Sequence, residues 1–576
     1  MSNKILLIRI LLASVGLTYG LTLNGQAGSS EKNFQHLFRE VMAANGFKNN
    51  EIALRSFITG GNTTEAGLQR LSLLDLFKPL SEVAVFQPQP SKTTPPLLIF
   101  MPGIATDFAP SRALPHVTTE DNQIDNIELS AEMKERVNIY RLLGVHDELI
   151  AHIMVLRFPE LSSDSFLPLP TGAEYLKTTI DKAWQALGEQ EFANSTYIVG
   201  YSRGGLFALE MLSAIEQGTL KKSSWYKTRT EEPVLKGLVT LATPLAGSLT
   251  DVYNDQSLEL EKIANRIDSK LALLKPDFES FEENYQLLFV SNDLHGSKEP
   301  LFVEMMNVAN QISSMLPVNL YTTINLNNLF NGHKSILEIP GLTDPRIKKE
   351  SHYRDLRSLL KPNMQLISKI ITKYTGNGLI LAANTEYKAC ANHTCRQKVK
   401  KDYKNVILQI KKLKNICYGL LSLSKEKNNQ KWTKMRLPNH LRYLSIATSM
   451  PAPIDDFLAQ PKSGYEQAYE STGTADGMLA RVSYYAIADK LGRKLNDGFV
   501  PVSGSILREN YLKTGTGQDY QVDFLGVIGA NHFNVVYDEV FPSPNNWPKS
   551  TLRPINQSLL QSIVYYLRQP NTTGSK

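Results

Sequence analysis

The order of apolar segments predicts an α/β protein: a mostly parallel central sheet, helices on its flanks, and a large, mainly helical insertion after the sixth strand. Three observations carry this. Short, almost wholly apolar runs such as Pro96-Leu-Leu-Ile-Phe-Met-Pro102 suit strands buried on both faces. Such runs alternate with segments of helical period, as crossover connections require. The alternation stops after Ser248, and strand-like runs resume only at Leu441.

Taken from the start, Lys4 and Arg9 flank an apolar stretch over Ile10–Leu23 that ends in Gly25-Gln-Ala27. This reads as a secretory signal peptide over 1–27, which implies a secreted or otherwise extracytoplasmic protein. The run is too short and too interrupted by Arg9 to span a membrane comfortably, and no other segment approaches 18 consecutive apolar residues. The first part of the core is expected over 28–250. After a helical start (Phe34 to Met42), Glu82–Gln87, Pro96–Pro102, His152–Arg157, Thr196–Gly200 and Leu235–Ala242 read as strands. Helices are expected over Gly172–Phe192, with apolar residues at 176, 180, 183, 184 and 187, and over about 204–216. Residues 251–437 form the expected insertion or cap. The second part of the core, 438–576, contributes strands at Leu441–Ala447 and Tyr520–Ile528. Its last helix runs over Gln557–Arg568, with Leu559, Leu560, Ile563, Val564 and Leu567 on one face. Two or three strands with one helix make a poor independent core, so the late strands should join the early ones in one sheet.

Composition describes an ordinary globular chain, 42% hydrophobic and 20% charged, with no repeats and no metal-finger spacing. The net charge of +6 conceals a cluster: from Lys388 to Arg442, fifteen lysines and arginines stand against Asp402 and Glu426. The cluster fits either a solvated helical surface or peripheral contact with an anionic membrane surface. No nucleic-acid partner is expected. Cys390 and Cys395 are spaced either to close a small loop, leaving Cys417 free, or to remain thiols. His393 lies between them, but the set matches no common zinc site, and no metal is expected.

The chemistry centres on Gly200-Tyr-Ser-Arg-Gly-Gly205, which follows an apolar strand and opens a helix. A serine hydroxyl needs a base to become nucleophilic, and a tight strand-to-helix turn between glycines exposes its oxygen. Ser202 is the candidate nucleophile. A base and an orienting acid must follow in the chain order serine, acid, histidine. Of ten histidines, His532 in Gly529-Ala-Asn-His-Phe-Asn534 directly follows the last expected strand and is the candidate base. Asp497, in Asn496-Asp-Gly-Phe-Val-Pro-Val-Ser503, is the candidate acid; Asp489, Asp476 and the Asp455–Asp456 pair compete with it. The backbone N–H groups of Arg203, at the helix start, and of Ile104, beside Gly103, are the candidate oxyanion donors, with Ala105 second to Ile104. No substrate-binding residues can be named from the sequence.

These segments together resemble the lipase and esterase branch of the α/β-hydrolase superfamily, including its inositol-deacylase-type serine hydrolases. "GYSRGG" is similar to the nucleophile turn, "MPGIA" stands where lipases carry a His-Gly loop, and "NDGFVPVS" and "GANHF" look like the acid and histidine loops. "LATPLAGS" (241–248) is similar to a Thr-Pro-His-x-Gly-Ser stretch of lipases. Pro102 and Leu245 stand where the family usually has histidines, and Arg203 puts a cation beside the turn. The resemblance covers about 80–250 and 438–570. It implies hydrolysis of carboxylic esters, on lipid or other acyl-ester substrates, through an acyl-serine and without a cofactor. It also implies that the insertion is a lid over an acyl pocket. A thioesterase or acyltransferase on the same fold would use the same residues. From a different class, a catalytically silent scaffold would use the insertion to bind a partner.

Overall fold

The computed structural model describes residues 58–59, 69–70, 95–104, 117–118, 129–143, 149–158, 165–187, 195–253, 389–397, 475–492, 496–507 and 522–529, most of 418–449 and 531–536, and isolated positions within 261–269, 414–415 and 560–567. The expected leader over 1–27, the strand over 82–87, Cys417 and most of the 251–437 insertion lie outside the described residues.

A small antiparallel ribbon pairs β1 (Ile58–Thr59) with β2 (Gln69–Arg70). The remaining strands form one sheet: β3 (Leu97–Met101), β4 (Val117–Thr118), β5 (Val137–Leu143), β6 (Leu149–Leu156), β7 (Thr196–Tyr201), β8 (Leu235–Leu241), β9 (Arg442–Ser449) and β10 (Val522–Gly529). Their order across the sheet is β10-β9-β8-β7-β3-β6-β5-β4. The six from β10 to β6 run parallel, and β5 and β4 are added antiparallel at one edge. This is an α/β fold with a mostly parallel sheet, and the late strands do complete the early sheet: β9 lies beside β8 although residues 242–441 separate them. The β5–β4 edge was not foreseen. Val137, Ile139 and Leu142 are buried while Asn138, Tyr140 and Arg141 are only partly so, an alternation unlike the unbroken apolar runs that mark the parallel strands.

Six helices are bounded among the described residues: α1 (Ala131–Arg136), α2 (Leu169–Leu187), α3 (Arg203–Glu216), α4 (Lys425–Trp432), α5 (Ala475–Leu491) and the single turn α6 (Val502–Ser505). The Ser130 hydroxyl accepts from the Met133 amide and caps α1. Helix α2 starts three residues before the expected Gly172 and ends at Leu187, and it buries Leu176, Ile180, Ala183, Trp184 and Leu187 as its period requires. Helix α5 was not expected: Ala480, Tyr484 and Ile487 keep helical spacing, but one of the three is an alanine and Tyr485 is buried beside them, which blurs the stripe.

Pleating sends alternate residues of β3 to opposite faces. Leu97, Ile99 and Met101 join α2 and α3 in one core. Leu98 and Phe100 join the other, where Leu560, Ile563, Val564 and Leu567 of the C-terminal segment cover the sheet. Burial on both faces is why these strands read as unbroken apolar runs. Leu420, Leu421, Leu423, Met435 and Leu437, from the end of the expected insertion, belong to the first core. Among the described residues of the basic cluster, Lys414 is ion-paired with Asp268 (2.6 Å), Lys427 with Glu261 (2.6 Å) and Lys431 with Glu210. Cys390 and Cys395 are joined by a disulfide. No helix among the described residues is long and apolar enough to cross a membrane.

Candidate active site

Strand β7 delivers Ser202 to the carboxyl edge of the sheet, and α3 begins one residue later. The turn holds Ser202 at φ 51° and ψ −129°, a left-handed backbone that costs a non-glycine residue about 1–3 kcal/mol. Its neighbours hold it there. The Ser202 amide donates to the Leu241 carbonyl (2.8 Å), and the Gly205 amide donates back to Ser202 (3.0 Å). A Cβ on Gly200 would stand 2.4 Å from the Gly205 Cα, so strand and helix pass too closely for any side chain there. The Thr243 hydroxyl, from the "LATPLAGS" stretch, donates to the Gly200 carbonyl (3.2 Å).

The Ser202 Oγ lies 2.9 Å from Nε2 of His532. The other ring nitrogen, Nδ1, lies 2.8 Å from Oδ2 of Asp497. A carboxylate only accepts, so Nδ1 carries the proton and Nε2 is left to accept from the serine hydroxyl. The three residues are 330 and 35 positions apart in pairs, and all are buried.

Each partner is held from several sides. Four donors converge on Asp497: the Phe499 and Val500 amides on Oδ1 (2.9 and 2.7 Å), and the Thr448 hydroxyl (2.5 Å) and His532 on Oδ2. Gly498, at φ 89°, makes the tight turn that folds those two amides back onto the carboxylate. The His532 backbone is fixed by its amide donating to the Asp497 carbonyl (2.9 Å) and by the Tyr201 hydroxyl donating to its carbonyl (2.5 Å). Phe499 stacks on the imidazole, with centroids 4.9 Å apart and planes at 22°.

The Pro102–Ile104 turn lies directly against the serine: a Cβ on Gly103 would be 2.7 Å from the Ser202 Cβ. Among the described residues, no acceptor reaches the amide of Ile104 or that of Arg203, and the latter stands at the N-terminus of α3. Arg203 directly follows Ser202 in the chain, and Ile104 directly follows Gly103, the glycine packed on Ser202. The Arg203 side chain points away and is fully buried; its contacts are considered below. Ala105 lies outside the described residues.

Among the described residues, the competing candidates are not brought to this place. His152 is on β6, His440 sits against Tyr226, and His393 is in the disulfide loop. Asp489 is exposed near the end of α5, Asp476 lies in its first turn, and Asp455 and Asp456 lie outside the described residues. Three residues of the constellation carried no mark in the sequence. Thr448 is one more polar residue near a strand end, and Phe499 is one more aromatic in a turn. Tyr201 occupies the variable position of the glycine–serine motif. Among the described residues no cluster of His, Cys, Asp or Glu could hold a metal ion.

No family model and no curated protein matches the chain. Solved structures do. A metagenomic carboxyl esterase is 13% identical, with 92% of this chain and 90% of that one covered at a TM-score of 0.33. The Staphylococcus hyicus lipase is 9% identical (84% and 98% covered, TM-score 0.32), and EstA from Clostridium botulinum is 11% identical (84% and 90%, TM-score 0.30). At these values the likeness assigns neither activity nor substrate, and the chemistry has to be read from Ser202, His532 and Asp497 themselves.

Proposed function

We propose that the protein is a serine hydrolase of carboxylic esters, built on an α/β-hydrolase fold and acting on lipid or other acyl-ester substrates. The observation that carries this reading is the unbroken line of hydrogen bonds from Ser202 through His532 to buried Asp497. His532 Nε2 takes the hydroxyl proton as Ser202 Oγ bonds to the ester carbonyl carbon, and the carbonyl oxygen becomes an oxyanion. The amides of Ile104 and Arg203 stabilise that charge where it develops. The carbonyl then re-forms, the ester C–O bond breaks, and His532 returns the proton to the departing alkoxide. Water repeats the sequence on the acyl-serine: His532 accepts its proton, the acid leaves, and Ser202 recovers its hydrogen. Asp497 keeps the imidazole in one tautomer and stabilises its cation throughout. No step calls for a metal or cofactor. The basic–apolar leader over 1–27 supports export of the mature chain.

A serine-reactive fluorophosphonate tests the assignment. The native protein should label stoichiometrically and Ser202→Ala not at all, with ester hydrolysis lost in parallel. Failure of both to label would leave a silent scaffold. Rates on esters of increasing acyl length, with acyl thioesters alongside, then read the substrate class; a preference for short soluble esters would count against lipids.

A further inference from the structure

A guanidinium buried to 0% exposure beside a nucleophile candidate calls for an explanation, because removing a cation from water costs several kcal/mol unless its donors are satisfied. Burial pushes Arg203 down to about 9 from its usual range, so it is charged at neutral pH. Among the described residues no carboxylate bonds it. Its partners are neutral and come from two distant segments. Nη1 donates to the Ser165 carbonyl (2.5 Å) and Nη2 to the Leu167 carbonyl (2.6 Å), in the stretch that enters α2. Nε donates to the Ser422 hydroxyl (3.0 Å), which itself donates to the Gly419 carbonyl (2.5 Å). These lie on the limb that returns the chain towards β9. The two segments also touch each other, since a Cβ on Gly419 would stand 2.6 Å from the Phe166 carbonyl oxygen. The guanidinium lies 4.5 Å above the Phe207 ring, one helical turn further along α3. Glu210, on the same stripe of α3, is paired with Lys431 of α4. Arg203 and Glu210 thus both reach the returning limb and the helix it enters, while Phe207 packs beneath the guanidinium.

From this arrangement, and resting on the hydrolase reading above, we propose that Arg203 is a positioning residue. Its guanidinium locks the 165–167 stretch and the 419–422 limb onto the serine-bearing turn, and this holds its own backbone amide where the oxyanion develops. A packing role alone would be met by a long apolar side chain; only a planar fork reaches three acceptors in two directions at once.

The experiment compares Arg203→Met, Arg203→Lys and Ser422→Ala by kinetics on one soluble ester and by amide hydrogen exchange. Removing an oxyanion donor lowers kcat about 10²–10³-fold, so a displaced one should cost Arg203→Met about 10–100-fold in kcat with KM little changed. Arg203→Lys keeps the charge but should not restore the rate. Ser422→Ala, a milder change that guards against misfolding of the arginine variants, should lower kcat less. In each variant the amides of 419–424 should lose protection while those of β7 keep theirs. Folded Arg203→Met or Ser422→Ala with native kcat and native protection of 419–424 overturns the proposal, and so does full rescue by lysine. Native protein that neither labels with fluorophosphonate nor hydrolyses esters overturns the hydrolase reading and the kinetic half of this one; the exchange arm still decides the docking half.

Discussion

Asp497 is fully buried, and its stability rests on the four donors around it. Thr448 is the one that a substitution can remove without deleting a backbone amide or one of the three proposed catalytic side chains. Thr448→Val keeps the shape and removes one hydroxyl donor from a buried carboxylate. It should cost about 1.5–3 kcal/mol, read as a lower urea midpoint with unchanged slope. A second residue-scale effect concerns His152 on β6, which lies opposite Arg141 of β5. Burial, then the charge of Arg141, pushes its imidazole down from 6.5 to about 4. The unfolded chain therefore binds a proton that the folded chain refuses between those values. Stability from this group is complete above about pH 6.5 and is lost as pH falls towards 4. Urea unfolding at pH 7 and pH 5 should show the loss, and His152→Gln should reduce the difference between the two midpoints.

Among the elements, the β7–α3 turn leaves little room for change. Its strained serine is tolerable because strand and helix pack within backbone contact on either side of it. Gly200→Ala would place a methyl 2.4 Å from the Gly205 Cα and 2.7 Å from its nitrogen, both backbone atoms that cannot swing aside. Such overpacking should destabilise by about 3 kcal/mol or more and displace the serine. Thermal unfolding would show the first effect and loss of fluorophosphonate labelling in still-folded protein the second. The "GYSRGG" motif is thus legible because its turn is a local device, with Gly200 packed on Gly205, although Gly204 also meets the Met101 carbonyl of β3 and Gly205 meets Thr243. Thr448 and Phe499 were not legible, because what makes them matter is the distant residue each one touches.

For the molecule as a whole, the parallel sheet gathers the site. Gly103 follows β3, Ser202 follows β7, Thr243 follows β8, Thr448 lies near the end of β9 and His532 follows β10. All are at carboxyl ends of parallel strands, the edge at which open α/β sheets carry their sites. The parallel register makes this possible: Met101 pairs with Gly200, and Tyr201 with Leu241, so successive strand ends come level. Helix α4 is stitched to the same edge. Asn428 donates to the Pro244 carbonyl (2.8 Å), and Asp251 accepts from the Lys425 amide (2.9 Å) at the start of α4. The basic cluster is accordingly in part an internal fastening, with Lys414, Lys427 and Lys431 committed to acids of the chain itself.

The sequence by itself determined the α/β class, strands read at 96–102, 152–157, 196–200, 235–242, 441–447 and 520–528, and the chain order in which a candidate serine, acid and histidine follow them. Those features depend on local patterns: apolar runs buried on both faces, helical period, and turn residues placed directly after strands. Only the tertiary structure decided that Asp497 rather than Asp489 meets His532, that β5 and β4 turn antiparallel, and that α5 forms. It also decided what Arg203 does. In the sequence Arg203 is only a cation beside the turn, and its burial among carbonyls 36 and 38 residues before it and a hydroxyl 219 residues after it arises from long-range packing that no local spacing encodes.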